Sequence, residues 1–496
     1  MKLRTRVPAG VSMLAALGLA GCINLAPRYQ QPALPVAASW PIAPTTAGGT
    51  AAAGTAAADA GSTAGSAAAT AAADIGWRDF FIDPRLQQLI ALALQNNRDL
   101  RVAVLNVQVA RAQFEVQRAS RLPNFNASGG FTREKLPAVE SYTGEPMTMS
   151  SITAGVGLSS FEVDLFGRVR NLSQAALEQY FAQESTRRST QLALIAQVAN
   201  AYLTLAADRQ LLQLAEDTFK SQESSYELTR KQHAYGAVSG LDEAQAETTV
   251  QTARADVARY RGNVAQDTNA LTLLVGTTPA PSLLPGGLTD ASAAVSGLAP
   301  LPAALPSQVL LRRPDILEAE HALRAADANI GAARAAFFPT ISLTASAGYA
   351  SMQLAGLLGA TNQSWNFSPA ISLPLFAGGK LRGNLRVAKA DRDIAVAQYE
   401  KAIQSGFREV ADALALTQTL AQQVQAQQAL ADASHRALEL SQARYKRGLD
   451  SYLTVLDSQR SDYSAQQTLI STREQQQSNR ITLYQVLGGG WLEHGK

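Results

Sequence analysis

The chain repeats itself. Val198, Ala199, Asn200 and Ala201 are answered 212 positions later by Val410, Ala411, Asp412 and Ala413. The same offset carries Tyr235 and Gly236 onto Arg447 and Gly448, Leu241 onto Leu453, and Leu274, Val275 and Gly276 onto Val486, Leu487 and Gly488. Nearer the amino end, Asp99 and Pro123 match Asp315 and Pro339 at an offset of 216, so a few residues were gained or lost between the copies. A unit of roughly 200 residues is far longer than a solenoid repeat, and two such units read as one pseudo-symmetric body. The expected boundaries are 77–290 for the first copy and 291–496 for the second.

Each copy contains one very long stretch without proline, Gly167 to His233 and Lys380 to Arg447, dominated by Ala, Gln, Leu, Arg and Glu. At 1.5 Å per residue each predicts a helical rod of about 100 Å, longer than a globular helix or a bilayer. Ile195, Val198, Tyr202, Leu205, Leu212 and Phe219 step by three and four before lengthening to seven, a coiled-coil seam that Phe407, Val410, Leu414, Thr417 and Val424 repeat. Shorter helices are expected over Leu241 to Val275 and Leu453 to Leu487, and over Pro84 to Arg121 and Ser307 to Phe337. Many Ala, Gln, Ser and Thr in these seams suit helices with neighbours on two sides and water on a third.

The amino end assigns a compartment. Lys2, Arg4 and Arg6 precede a short apolar run from Val11 to Leu19, which makes 1–21 a signal peptide rather than a membrane span. Leu19, Ala20 and Gly21 stand directly before Cys22, the sole cysteine, and together resemble a bacterial lipobox. That resemblance implies a covalent lipid on Cys22; the plainer alternative is an ordinary leader with an incidental cysteine. Ile23 stands where lipoproteins retained at the inner membrane often carry Asp, which favours the outer membrane. Residues 22–76 then form a lipid-anchored segment with Pro27, Pro32, Pro35, Pro41 and Pro44, running into Ala/Gly/Thr/Ser low complexity from Thr45 to Ala73 that reads as a linker. Without the leader's three basic residues the chain carries 40 basic and 40 acidic side chains, which argues against nucleic acid as a partner. With 46% hydrophobic residues there is ample material for a core.

Between the helical runs lie four stretches of period-two alternation. Phe125, Ala127, Gly129 and Phe131 oppose Asn126, Ser128, Gly130 and Thr132; Ile152, Ala154, Val156 and Leu158 oppose Ser151, Thr153, Gly155, Gly157 and Ser159. In the second copy Ile341, Leu343, Ala345, Ala347 and Tyr349 oppose Ser342, Thr344, Ser346 and Gly348, while Trp365, Phe367, Ile371, Leu373 and Leu375 oppose Asn366, Ser368 and Ser372. One apolar face ending in aromatics and one small, polar face match a membrane-barrel strand with lipid outside and water inside. A soluble sheet with one wet face is the competing reading, disfavoured because the helical rods leave no second layer to cover it. Four strands cannot close, and the smallest symmetric assembly that removes every edge and leaves a lumen is a trimer. The expected fold class is therefore an α+β membrane protein: a trimeric 12-stranded outer-membrane β-barrel, four strands per chain, continued by a long periplasmic α-helical coiled-coil barrel, with an internal tandem repeat. Lys135 to Ser150 and Ser351 to Ser364 would be its external loops.

Several motifs carry a family likeness. They are Arg312, Arg313, Pro314, Asp315 and Ile316, followed by Glu318, Glu320, Ala325, Asn329, Ile330, Gly331, Ala333, Phe338, Pro339 and Ile341; Phe166, Gly167 and Arg168; Pro374, Leu375, Phe376, Gly378, Gly379 and Lys380; and the run Tyr452 to Arg460. Together they resemble the TolC family of outer-membrane efflux proteins, in its OprM-like lipoprotein branch, over nearly all of the chain after the linker. The resemblance implies the exit duct of a tripartite RND-type pump for drugs and other small toxic solutes. A homotrimer, a periplasmic membrane-fusion adaptor, an inner-membrane RND transporter and outer-membrane lipid would be its partners, with no cofactor beyond the lipid. Read from the residues alone, Pro314 and Asp315 suit a helix start and Phe338–Pro339 a helix-to-strand turn.

Leu453, Asp457 and Arg460 differ, since they lie on a short helix just after the bend at Gly448. The resemblance makes them a periplasmic gate: an apolar constriction at Leu453, a cation-attracting ring at Asp457, and Arg460 as the partner holding helices together. An exposed Asp–Arg pair on a helix is the plainer reading. No phosphate loop, His-Glu-x-x-His or Gly-x-Ser-x-Gly motif occurs, so an enzyme is not expected. His233, His321, His435 and His494 read as solvated or packed rather than metal-ligating. A duct for metal-ion efflux or type I protein secretion, and a non-conducting trimeric coiled-coil scaffold, remain as alternatives.

Overall fold

The computed structural model describes residues 24–40, 75–141, 144–288 and 307–494; Cys22 and the linker from Thr45 to Ala73 lie outside the described residues. Its elements are α1 (Trp77–Phe80), α2 (Pro84–Asn96), α3 (Arg98–Ala119), β1 (Phe125–Leu136), β2 (Met147–Val163), α4 (Arg168–Ala234), α5 (Gly240–Val275), α6 (Pro314–Ala335), β3 (Thr340–Ser351), β4 (Gln363–Ser372), α7 (Lys380–Lys446) and α8 (Tyr452–Val486). Both α4 and α7 are 67 residues long. The order helix, two strands, long helix, second helix thus occurs twice. The chain divides into two compact units, one of Met1–Pro32, Val107–Gln183 and Ala319–Tyr399, the other of Ala33–Asn106, Glu184–Glu318 and Glu400–Lys496.

The first unit contains the sheet, antiparallel throughout and ordered β1-β2-β3-β4. Its register sorts the two faces as the alternation demands. Phe125 pairs with Leu158 and Phe131 with Ile152 on one face, while Asn126 pairs with Gly157 and Ser128 with Gly155 on the other. Ala345–Phe367 and Ile341–Ile371 continue the apolar face into β4, and Thr344–Ser368 and Ser346–Asn366 the polar one. The alternation of β2 changes phase after Leu158, and the register shows why: Leu158 faces Ala345 but Phe161 faces Leu343, so one extra residue is inserted. Ser160 in this β-bulge has a φ of 32°, and the insertion returns Phe161 and Val163 to the apolar face. On the polar face Gly155 and Gly348 are directly paired, and a Cβ at Gly348 would run into the carbonyl oxygen of Ala154. Trp365, Phe367, Ile371, Phe125 and Phe131 on the apolar face are 60–80% exposed, so the described chain leaves this surface uncovered.

Boundaries differ from the sequence reading in physically simple ways. β4 ends at Ser372, short of Leu373 and Leu375, because Pro374 cannot donate to a ladder. The helix expected over Pro84 to Arg121 is broken at Asn97, whose side chain accepts from the Leu100 amide at 2.9 Å and donates to the Leu274 carbonyl at 2.9 Å, so it caps α3 while binding α5. Ser307–Arg312 is a 3-10 turn, and the α-helix begins only at Pro314, since the residue before a proline is pushed out of helical geometry.

The amino-terminal segment of the first unit is strapped down. Tyr29 donates to Glu320 at 2.8 Å, Arg324 covers the Tyr29 ring, and Gln31 donates to the Tyr399 hydroxyl at 3.1 Å. Arg334 donates to the Leu25 carbonyl at 3.0 Å, and Ala26 lies so close to Gly331 that a Cβ there would meet its backbone.

In the second unit the main apolar core gathers Trp77, Phe80, Phe81, Leu86 and Ile90 from the α1–α2 region against Ile195, Val198, Tyr202 and Leu205 of α4, with Leu271 and Val275 of α5. The first part of the expected α4 seam is thus fully buried, whereas Leu212 and Phe219 are half-buried. Tyr484 of α8 stacks on Phe80 with ring centroids 3.9 Å apart. Tyr202 is buried with its hydroxyl, which donates to Asp83 at 2.7 Å. Asp83 also caps α2 by accepting from the Arg85 amide at 2.8 Å. Burial by itself would raise the Asp83 carboxyl, but donors from Arg85 and Tyr202 outweigh it and hold the group below its ordinary value. A depressed folded value contributes stability above the unfolded value, lost as pH falls through the folded one. Tyr202→Phe is expected to cost about 1–2 kcal/mol at pH 7, and the gap from the native chain to shrink as pH falls below the ordinary carboxylate range and Asp83 protonates; thermal unfolding of both chains from neutral to acid pH checks it.

Candidate functional site

The two turns ending the long helices are built alike. Gly236 and Gly448 both take positive φ, 72° and 73°, which a glycine adopts without a Cβ penalty. The Gly236 amide donates to the His233 carbonyl and the Ala237 amide to Gln232; Gly448 and Leu449 repeat this with Tyr445 and Arg444. The copies then diverge. Ser239 and Asp242 form a complete capping box at the start of α5, whereas Ser451 makes no such side-chain cap on α8, where Thr454 occupies the equivalent position. In its place Arg444 holds Asp450 by two hydrogen bonds of 2.6 and 2.9 Å across the turn, and Asp450 is held below its usual carboxylate range by those bonds.

The first turns of α8 have two distinct faces. Tyr452, Val455 and Leu456 are buried with Ala246, against Tyr226, Leu438 and Tyr445. Leu453, Asp457 and Arg460, at i, i+4 and i+7, are exposed together on the opposite face. Among the described residues neither Asp457 nor Arg460 has a hydrogen bond or ion pair, so the two do not form the helix-surface pair that their spacing permits. The tips add exposed apolar side chains at Tyr235, Leu241 and Leu449.

What fastens the buried face is polar. Gln222 of α4 is buried and donates to Gln459 of α8 at 3.0 Å while accepting from Thr249 of α5 at 2.9 Å. Further along, Tyr463 donates to Asp256 at 3.0 Å and Gln467 to the Tyr260 hydroxyl at 3.1 Å. Sequence reasoning passes over these residues, and the available signal is a buried-period position filled by a polar residue, as at Gln222, three beyond the seam residue Phe219.

The far end of α8 is fixed by Arg313, a motif residue whose part was not visible in sequence. Its guanidinium donates to Asp315 at 3.0 and 2.8 Å, to Glu409 of α7 at 2.7 Å and to the Val486 carbonyl at 2.8 Å. Gly406 leaves room for this group on α7, with a Cβ there only 3.4 Å from the guanidinium carbon. Asp315 therefore serves the arginine as well as the start of α6. The four histidines also have more structure than expected, each facing a carboxylate: His321 with Glu178 at 2.8 Å, His233 with Glu243, His435 with Asp462 at 3.6 Å, and His494 with Asp79 at 3.5 Å. Among the described residues no group of three His, Cys, Asp or Glu side chains is arranged to hold a metal ion.

The chain is similar to known proteins over nearly its whole length. The sequence matches the family described as "Outer membrane efflux protein" over residues 89–277 and 305–489. It is 49% identical over 485 residues to "Probable efflux pump outer membrane protein TtgC" of Pseudomonas putida, covering 97% of this chain and 95% of that one. It is 42% identical over 490 residues to "Outer membrane protein OprJ" of Pseudomonas aeruginosa, covering 98% and 97%. The fold superposes on the open state of the Neisseria gonorrhoeae MtrE outer membrane channel with a TM-score of 0.83 and 37% identity, over 95% of this chain and all of that one.

Arg313→Ala is expected to destabilise the second unit by about 1.5–3 kcal/mol, since it removes charge-assisted hydrogen bonds to Asp315 and Glu409 and leaves the Val486 carbonyl without its donor. Arg313→Lys is expected to recover only part of this, lacking the planar fork. Thermal unfolding of the detergent-solubilised variants measures both.

Proposed function

The chain belongs to the outer membrane efflux protein family, and from that membership we propose that three copies close one twelve-stranded barrel and form the exit channel of a tripartite efflux pump. The observation that carries this reading is the sheet itself. It has two open edges, one face of exposed aromatics and aliphatics, and one face of Ser, Thr, Asn and Gly. Lipid satisfies the first face, water the second, and copies of the same sheet the edges. A lumen walled by small polar side chains discriminates little, so substrate choice rests with an inner-membrane RND pump and its periplasmic adaptor, which would deliver drugs and other small toxic solutes. The role is conduction rather than catalysis.

Threefold symmetry gives the exposed face of α8 its purpose. Three Leu453 side chains would narrow the aperture, three Asp457 carboxylates would form a cation-attracting ring, and Arg460, unpaired among the described residues, would find its partner on a neighbouring helix. Opening is a shift of the α7–α8 pair driven by adaptor contacts at the exposed tips, which separates these rings. Anchoring through a covalent lipid on Cys22 is supported by the position of Asn24, two residues on. It lines a cavity of about 260 Å³ with Arg121, Phe161, Glu162 and Val163 at the end of β2.

Reconstituted in planar bilayers, the native chain is expected to give stepwise ion currents, and Leu453→Ala and Asp457→Ala to raise the conductance severalfold. Unchanged conductance in both variants would remove the gate, and a native protein without current would point to a scaffold. Intact mass is expected to show acyl chains that a Cys22→Ser chain lacks; equal masses apart from the substitution would refute the anchor.

A further inference from the structure

The contacts between α5 and α8 form a ladder in one register. Asp256 meets Tyr463 and Tyr260 meets Gln467 at an offset of 207, and at the same offset Asp267 lies within electrostatic reach of Glu474. The first two rungs each join a donor to an acceptor. The third position sets two like charges near one another with no bond between them, and α4 adds another acid, because the Asp208 carboxyl is in hydrogen-bond contact with that of Asp267. The Oδ2 atom of Asp267 is buried and receives no amide, hydroxyl or cationic donor. Two facing carboxyls satisfy one another only when a proton lies between them.

We propose that Asp208, Asp267 and Glu474 form a proton-operated clasp that holds α4, α5 and α8 together when a proton is shared and loosens them when it is lost. The surrounding groups give the clasp its direction. Asn263 donates to Asp208, and Arg259, already committed to Asp256 at 2.8 Å, is the one cation acting on Asp208. Glu474 accepts from Thr204 of α4 at 2.8 Å, which keeps it beside the acid pair without neutralising it. Burial, together with the charges of Asp208 and Glu474, pushes Asp267 up to about 6, and burial raises Asp208 as well. With the folded value raised, the stabilisation is complete below the ordinary carboxylate range and is lost as pH rises through about 6. The clasp stands on helix packing alone. Its effect on conduction rests in addition on the channel reading, because α8 is the helix whose first turns carry Leu453 and Asp457.

Hydrogen exchange of the full-length protein in detergent, corrected for intrinsic rates, tests it. Protection of amides over 264–274 and 470–478 is expected to fall by up to about tenfold between pH 5 and pH 7.5, as a raised carboxyl of this size implies. Asp267→Asn replaces the shared proton with a permanent N–H donor and is expected to abolish that fall, and Glu474→Gln is expected to move its midpoint to lower pH, because it removes one of the charges that raise Asp267. The same protection profile in the native and Asp267→Asn chains would overturn the clasp; if that variant does not assemble, Asp208→Asn carries the same expectation and the same refutation. In bilayers, native conductance is expected to rise from pH 5 to pH 7.5 and that of Asp267→Asn to stay level. Absence of current in every chain would count against the channel while leaving the exchange result to decide the clasp.

Discussion

An unpaired sheet edge is the constraint around which this protein is organised. β1 and β4 each leave one row of backbone donors and acceptors without partners in the described chain, and inside a bilayer such groups cannot be left to water. A chain with four strands therefore has to recruit further strands, and identical copies provide them without any new surface. The other features of the sheet serve the same end. The bulge at Ser160 preserves the apolar face across a change of phase, and the Gly155–Gly348 pair keeps β2 and β3 in close approach on the polar side. Pro369 and Pro374 restrict how far β4 can be extended or paired.

The helices follow a different logic. Long rods made largely of Ala, Gln, Ser and Thr cannot rely on a continuous apolar seam, and the burial along α4 shows this: Ile195 to Leu205 are sealed within the main core, while Leu212 and Phe219 are only half-covered. Beyond that point specificity passes to hydrogen bonds, through Gln222 to Gln459 and Thr249, and through Asp256 and Tyr260 to α8. Polar contacts between helices are individually modest and exchange readily for water. A packing of this kind is suited to sliding or separating without exposing a dry core, which is what opening a helical aperture requires.

Much of this was legible beforehand because it is periodic. The two long helices begin and end within one residue of where proline-free, alanine-rich composition places them, and strict alternation located all four strands. Local sequence was less informative where one residue serves two neighbours. Asn97 interrupts a helix because it caps α3 and binds the Leu274 carbonyl at once; Arg313 joins its neighbour Asp315 to Glu409 and the Val486 carbonyl, 96 and 173 positions away. Neither has a periodic signature. The exposed face of Leu453, Asp457 and Arg460 followed from helical spacing, but the lack of an Asp457–Arg460 pair did not, since spacing permits a contact without enforcing it.

By itself the sequence determined the duplication, the type and extent of the major elements, the two-faced strands and hence the need for closure, because period and composition act through neighbours a few residues away. The tertiary structure alone decided which carboxylates meet a donor and which meet another acid, where the bulge falls, and how α8 is tethered on one face and bare on the other. Those outcomes depend on side chains brought together from positions as far apart as Asp208 and Glu474, and nothing in a linear pattern encodes that distance.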